Sequence, residues 1–222
     1  MRRGAFFDAG GILYDRESSS DDYLRRLLRE RGYPASLSSE LESRRLALHR
    51  DASLGNIAPR AYWNSVLAMY GVPDADRAAL EDLLDVFADA VVPDPEAREV
   101  LGELERRGFA VGVITDTIFP LERKMRWLRA VGVTDLLDVV SCSSALGVKK
   151  PDAAIYRDAL ARTSVEAKDA VFVGHSAEEL AGARAVGMTT IALHGDRGAT
   201  ADRAVERLSD LLRLDVLAIS SP

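Results

Sequence analysis

The chain has 222 residues, 47% of them hydrophobic and 29% charged, and 29 Lys and Arg against 35 Asp and Glu leave a net charge of −6. Such a composition can bury a sizeable core and excludes disorder, collagen and a disulfide scaffold. Its acidic balance argues against nucleic acid as a partner, because duplex binders are normally basic. The one cysteine, Cys142, has no partner within the chain and fits a reducing compartment. Arg2 and Arg3 resemble the start of a secretory signal, but Asp8 interrupts the apolar run behind them. No stretch reaches the roughly 18 apolar residues of a membrane helix. The expectation is a soluble, cytoplasmic protein that engages no membrane.

Taken in chain order, short apolar runs at 5–7, 109–114, 137–140, 170–173 and 188–193 read as strands buried on both faces. Helical spacing fills the segments between and after them, at 97–107, 121–130, 153–161, 178–186 and 201–214. Alternation of this kind predicts an α/β fold with a doubly wound, Rossmann-like parallel sheet. One connection departs from the rhythm. Between the first and second strands the pattern is helical throughout, at 21–31, 38–51, 58–70 and 74–90. An insertion of roughly 80 residues is too long for a βα loop, so it predicts an all-helical domain at 16–92, with 1–15 and 93–222 forming the core domain. It leaves from the end of the first strand, where it can cover the crevice in which such sheets bind ligands.

The residues after each strand are therefore the ones to weigh. The first strand leads into Phe6-Phe7-Asp8-Ala9-Gly10-Gly11-Ile12-Leu13-Tyr14, the second into Thr115-Asp116. Lys149-Lys150-Pro151-Asp152 precedes a helix, and Gly174-His175-Ser176-Ala177-Glu178-Glu179 follows the fourth strand. Each has a plain structural account: an acidic turn with glycines, a helix N-cap, exposed lysines beside an N-terminal proline, and a capped helix with acids in its first turn. Together they place an acid, a hydroxyl, a lysine and a second acidic cluster at one edge of a parallel sheet.

In that order and spacing, the chain resembles the haloacid dehalogenase superfamily of hydrolases, in the branch whose helical cap is inserted after the first strand. Leu54-Gly55-Asn56-Ile57 with Tyr62-Trp63 resembles the cap of that branch, and Gly182 to Met188 its last helix and strand. The resemblance implies that Asp8 is a nucleophile forming a covalent aspartyl intermediate. It implies that Thr115 and Lys150 neutralise charge on the transferring group, with Gly11 and Asp116 contacting substrate. Magnesium, where used, would be held by the Asp8 carboxylate, the Gly10 carbonyl and Glu179, with Glu178 as the substitute acid.

Several positions depart from that pattern. Relatives that hydrolyse phosphate carry a second aspartate two residues after the nucleophile, where this chain has Gly10. A glycine carbonyl can meet a metal, but it cannot move a proton, and losing a positioned acid/base costs about 10²- to 10⁴-fold in rate. Ile12 replaces a usual threonine, Asp116 a frequent asparagine, and His175 the usual first acid of the fourth motif, which predicts weak Mg²⁺ binding. His175 reads in two ways: as a cap or filler beside Gly10, or as the substitute acid/base next to Asp8. The insertion contains no lysine, so a Schiff-base route like that of phosphonoacetaldehyde hydrolase is closed. Arg44 and Arg45 in the insertion could bind an anion in a dehalogenase-like reaction.

The leading expectation is a hydrolase of a small phosphorylated metabolite acting through Asp8 with unusual proton transfer. Two alternatives stand beside it: a member that binds a small anion or a protein without turnover, and an enzyme whose Asp8 attacks carbon.

Overall fold

A computed structural model describes residues 2–196 and 198–218. Residues 1, 197 and 219–222, which the expected core domain includes, lie outside the described residues. The chain opens with β1 (Arg3–Phe7), whose last four residues are all buried. The later apolar runs form β4 (Phe109–Thr115), β5 (Val139–Cys142), β6 (Ala170–Gly174) and β7 (Thr189–Leu193). A short edge strand, β8 (Arg203–Val205), completes a six-stranded sheet of order β5-β4-β1-β6-β7-β8, in which every pairing is parallel.

The fold is thus a doubly wound α/β sheet. The chain runs outward from β1 through β4 to β5, then crosses to β6 on the other side of β1, which makes the β1/β6 junction a topological switch point. Alternating strand residues serve two cores. Phe7, Val111, Val113, Val171 and Val173 pack with Val100, Leu101 and Leu104 of α5 (Ala97–Arg106) and with Trp127 and Leu128 of α6 (Leu121–Val131). Phe6, Ala110, Ile114 and Phe172 face α8 (Ala153–Thr163) and α9 (Ala177–Ala185) through Ile155, Tyr156, Ala159, Leu180 and Ala183. Side chains on both faces of a strand must be apolar here, which is why these segments lack polar alternation.

Between the first and second strands of the sheet the chain forms α1 (Ser20–Glu30), α2 (Ser39–Ser53), α3 (Pro59–Met69) and α4 (Asp74–Asp89). Ser19 and Ser38 cap α1 and α2 by accepting from Asp22 N and Leu41 N, and Pro59 starts α3 where its missing N–H is harmless. Leu24, Leu27 and Leu28 on α1 pack with Leu80 and Leu84 on α4, and Tyr23 stacks on Phe87 at 4.0 Å. This helical cap is entered and left through an antiparallel pair, β2 (Tyr14–Asp15) with β3 (Val92–Pro93). The turn after α2 touches the short helix α7 (Ser143–Leu146): a Cβ on Gly55, at φ +77°, would stand 2.2 Å from the Ser144 carbonyl oxygen, so only glycine fits.

Two expected elements change. The helix anticipated at 201–214 is β8 followed by a 3-10 helix at Leu208–Arg213. Asp202 accepts from the backbone and the hydroxyl of Thr190 at 2.8 Å, docking this segment as a strand. The strand anticipated at 137–140 begins two residues later and runs on to Cys142, with the Asp138 carboxylate before it accepting from Val111 N at 3.0 Å. No described helix is long and apolar enough to cross a membrane.

Candidate active site

Four connections meet at the carboxyl edge of the sheet. Asp8 follows β1, Thr115 ends β4, Lys150 precedes α8, and Glu179 lies in the first turn of α9. Lys150 is 2% exposed, and its Nζ donates to Asp8 Oδ1 at 2.7 Å and to Glu179 Oε2 at 2.8 Å. Its backbone N donates to Asp116 Oδ1 at 3.2 Å. The lysine loop is held by close packing: a Cβ on Gly182 of α9 would lie 2.7 Å from the Pro151 carbonyl oxygen. Tyr156 Oη donates to the Glu179 carbonyl at 2.7 Å, joining α8 to α9 beneath the site.

One ammonium faces three carboxylates. Burial alone pulls the Lys150 ammonium down, but Asp8, Glu179 and Asp116 outweigh it and hold it above the ordinary lysine range. The carboxylates divide its charge. Burial lifts Asp116 and Glu179 above the usual carboxylate range, and the Asp8 charge pushes both further, so the attraction of Lys150 fails to compensate either of them fully.

These groups line a cleft of about 260 Å³ between the sheet edge and the inserted helices. Asp8, Gly10, Thr115, Asp116, Lys150 and Glu179 are on its lining. Gly11 and His175 are not: Gly11, at φ +73°, packs against the His175 ring, with 3.2 Å from an ideal Cβ to its nearest atoms. His175 Nε2 stands 3.7 Å from Asp8 Oδ2, and its Nδ1 is 3.6 Å from Asp196 Oδ1, a neighbour the sequence reading did not assign. The adjacency of β6 and β1 produces this approach.

The inserted helices and their flanks supply Arg16, Asp21, His49, Tyr62 and Trp63 to the cleft, and α6 adds Lys124 and Trp127. Burial and Lys149 hold the His49 imidazole below the ordinary range, and burial pushes the Tyr62 phenol up to about 12. Arg45 is consumed by its own neighbours, with two bonds to Asp21 at 3.0 and 2.9 Å and further bonds to Glu42, which leaves it no fork for an external anion. Lys124 was not foreseen, although a signal exists. The buried face of α6 is Lys124, Trp127, Leu128 and Val131, so the lysine begins the apolar stripe.

Of the expected magnesium donors, Glu179 and one oxygen of Asp8 are engaged by Lys150, and the His175 imidazole stands beside Asp8 where a hard cation wants an oxygen.

A buried aspartate paired to a lysine thus lies at the switch point of a doubly wound sheet, beside the inserted helices. The chain belongs to the haloacid dehalogenase-like hydrolases, whose family pattern matches residues 3–187. It is 30% identical over 205 residues to a phosphoglycolate phosphatase of Rhodospirillum rubrum, covering 87% of this chain and 80% of that one. It is 34% identical over 122 residues to a ribulose-1,5-bisphosphate 5-phosphatase of Halopiger xanaduensis, a match spanning 52% of this chain and only 50% of the relative. Among solved structures it resembles a 2-haloacid dehalogenase from Pseudomonas syringae pv. Tomato DC3000, with a TM-score of 0.65, 27% identity and coverage of 95% and 96%.

Proposed function

We propose that the protein hydrolyses a small phosphorylated metabolite through an aspartyl-phosphate at Asp8. The observation that carries this reading is the Lys150 ammonium bonded to Asp8 in a cleft shared with Thr115 and Asp116. Lys150 fixes Asp8 Oδ1, leaving Oδ2 to attack phosphorus. The phosphorus–oxygen bond to the leaving group breaks as the bond to Oδ2 forms, while the Lys150 ammonium and the Thr115 hydroxyl bind the phosphoryl oxygens where charge develops. Water then cleaves the acyl phosphate and returns phosphate and the Asp8 carboxylate. Residues 16–92 act as a cap domain that excludes bulk water, and Asp116 borders the substrate, whereas Gly11 lies off the cleft lining behind His175. Gly10 cannot donate a proton, so the leaving group departs unassisted, which favours acyl and aryl phosphates over alkyl ones. His175 is the substitute acid/base in the competing version, with its Nε2 facing Asp8. The acidic net charge and the unpaired, buried Cys142 support a cytoplasmic setting without a nucleic-acid partner.

A second reading is that Asp8 attacks carbon. Its support is Gly10, since displacement of halide from carbon needs no leaving-group acid, and the likeness to a 2-haloacid dehalogenase agrees. One experiment separates them. Wild type, Asp8→Asn and His175→Ala are assayed for phosphate release over a metabolite panel and for chloride release from 2-chloropropionate. Phosphate release lost in Asp8→Asn supports the first reading, and chloride release lost in the same variant the second. A histidine-like limb in the pH profile that disappears in His175→Ala supports the acid/base version.

A further inference from the structure

Two cations in the cleft have no carboxylate partner among the described residues. Lys124 is 3% exposed, and its Nζ donates to the Tyr14 hydroxyl at 2.8 Å. Its remaining neighbours include the ring faces of Tyr14 and Trp127, at 5.4 and 5.1 Å. Arg16 gives Nε and Nη2 to the Ala88 carbonyl at 3.1 and 2.7 Å and lies over Trp127 at 4.7 Å. The nearby acids are already engaged: Asp21 by Arg45, and Asp89 by Arg123 at 2.9 Å and Trp127 Nε1 at 2.6 Å. Lys150, by contrast, is directly ion-paired to two carboxylates, Asp8 and Glu179.

The cleft therefore has two poles, one acidic around Asp8 and one cationic on the Tyr14 and Trp127 rings. A buried ammonium answered only by a hydroxyl and aromatic faces is incompletely compensated, and an occupant with negative charge stabilises it. An ammonium has three protons to give and no lone pair to accept with, so what it lacks is an acceptor. Trp63, also on the lining, adds a buried indole N–H with no partner among the described residues.

We infer that Lys124 and Arg16 form a second anion subsite, which holds a carboxylate or second phosphate on the part of the substrate that leaves. The inference rests on the Asp8-centred hydrolase reading and narrows it to substrates bearing two anionic groups. A neutral or purely apolar leaving group finds aromatic walls there but leaves both charges unanswered.

The test compares ethyl phosphate, phosphoglycolate and propane-1,3-diol bisphosphate. The first two differ by a carboxylate in place of a methyl group, and the third offers a second phosphate. Turnover is measured on wild type, Lys124→Gln, Lys124→Arg and Arg16→Gln, and binding by calorimetry on Asp8→Asn with and without Lys124→Gln. In wild type, one of the two probes with a second anionic group should exceed ethyl phosphate in kcat/KM by about tenfold or more, the worth of one charge-assisted hydrogen bond, chiefly through KM. Lys124→Gln and Arg16→Gln should shrink that ratio, and Lys124→Arg should restore part of it. General damage to the fold lowers all probes together and leaves the ratio in place. A wild-type ratio near one for both probes with a second anionic group, or a ratio that survives both Lys124→Gln and Arg16→Gln, overturns the subsite. Absence of turnover of every phosphate removes the phosphatase reading alone, because the ratio of dissociation constants in the Asp8→Asn background still decides the subsite.

Discussion

Lys150 Nζ meets Asp8 Oδ1 at 2.7 Å across 142 positions of sequence, and that bond is the axis about which the site is arranged. It orients one carboxylate oxygen and holds a positive charge where a phosphoryl group would gather negative charge. Lys150→Met should lower kcat by about 10²- to 10³-fold, the usual cost of one preorganised charge donor. The three carboxylates raise the Lys150 ammonium above the ordinary range. The stability it contributes is therefore complete below pH ~10.4 and lost only as pH climbs through the raised value. Urea unfolding of wild type and Lys150→Met between pH 8 and 12 checks this, with the two curves drawing together at the alkaline end.

Asp116 titrates in the opposite sense. Burial lifts it despite the attraction of Lys150, so the folded protein keeps a proton that the unfolded chain has released. Stability then falls as pH rises from about 3.9 through the raised folded value, and the cost persists at neutral pH. Asp116→Asn keeps an oxygen for Lys150 N and carries no such cost. It should melt above wild type at pH 7, with the gap closing below pH ~4. A variant that melts below wild type at pH 7 contradicts this account.

Gly10 leaves space for the missing acid. A Cβ built there meets no atom within 4 Å, and the residue lies on the cleft lining. Gly10→Asp should raise turnover of alkyl phosphates, up to about 10²-fold for one restored acid/base, with a smaller effect on aryl phosphates, whose leaving groups need no proton. Comparing ethyl phosphate with p-nitrophenyl phosphate reads the difference directly.

Magnesium should bind weakly to wild type, because Glu179 is held by Lys150 and His175 offers a nitrogen. Titration calorimetry should give weak binding that Gly10→Asp strengthens by adding an oxygen donor. Tight binding that survives Glu178→Ala together with Glu179→Ala would show other ligands at work.

Gly182 carries the lysine loop at a distance from the chemistry. A methyl group there collides with Pro151 at 2.7 to 3.0 Å, so Gly182→Ala should cost about 1–3 kcal/mol through overpacking. The same push moves Lys150, so denaturant midpoint and kcat should fall together.

Much of this arrangement was legible in the sequence where burial enforces composition. The runs around Phe7, Ile114 and Val173 announced strands because both faces of the sheet are covered. The motifs after them pointed to one edge because a parallel sheet has only one carboxyl edge. The segment from Asp202 was misread because Val205, Leu208 and Leu211 repeat every three residues, a spacing shared by α-helix and by the 3-10 turn actually formed, while the edge strand depends on distant Thr190. Lys124 escaped notice because local sequence shows only a lysine on an amphipathic helix, and its burial depends on Tyr14, 110 residues earlier.

The short pair of β2 and β3 has an architectural consequence. Asp15 sits opposite Val92, so the chain leaves the core and re-enters it at adjacent points. Replacing 16–91 with Asn-Gly would join those two residues as an ordinary two-residue hairpin and leave the register of β1 against β4 unaltered. The junction is a splice seam: a helical insert of another length would fit between Asp15 and Val92 without re-registering the sheet that carries Asp8.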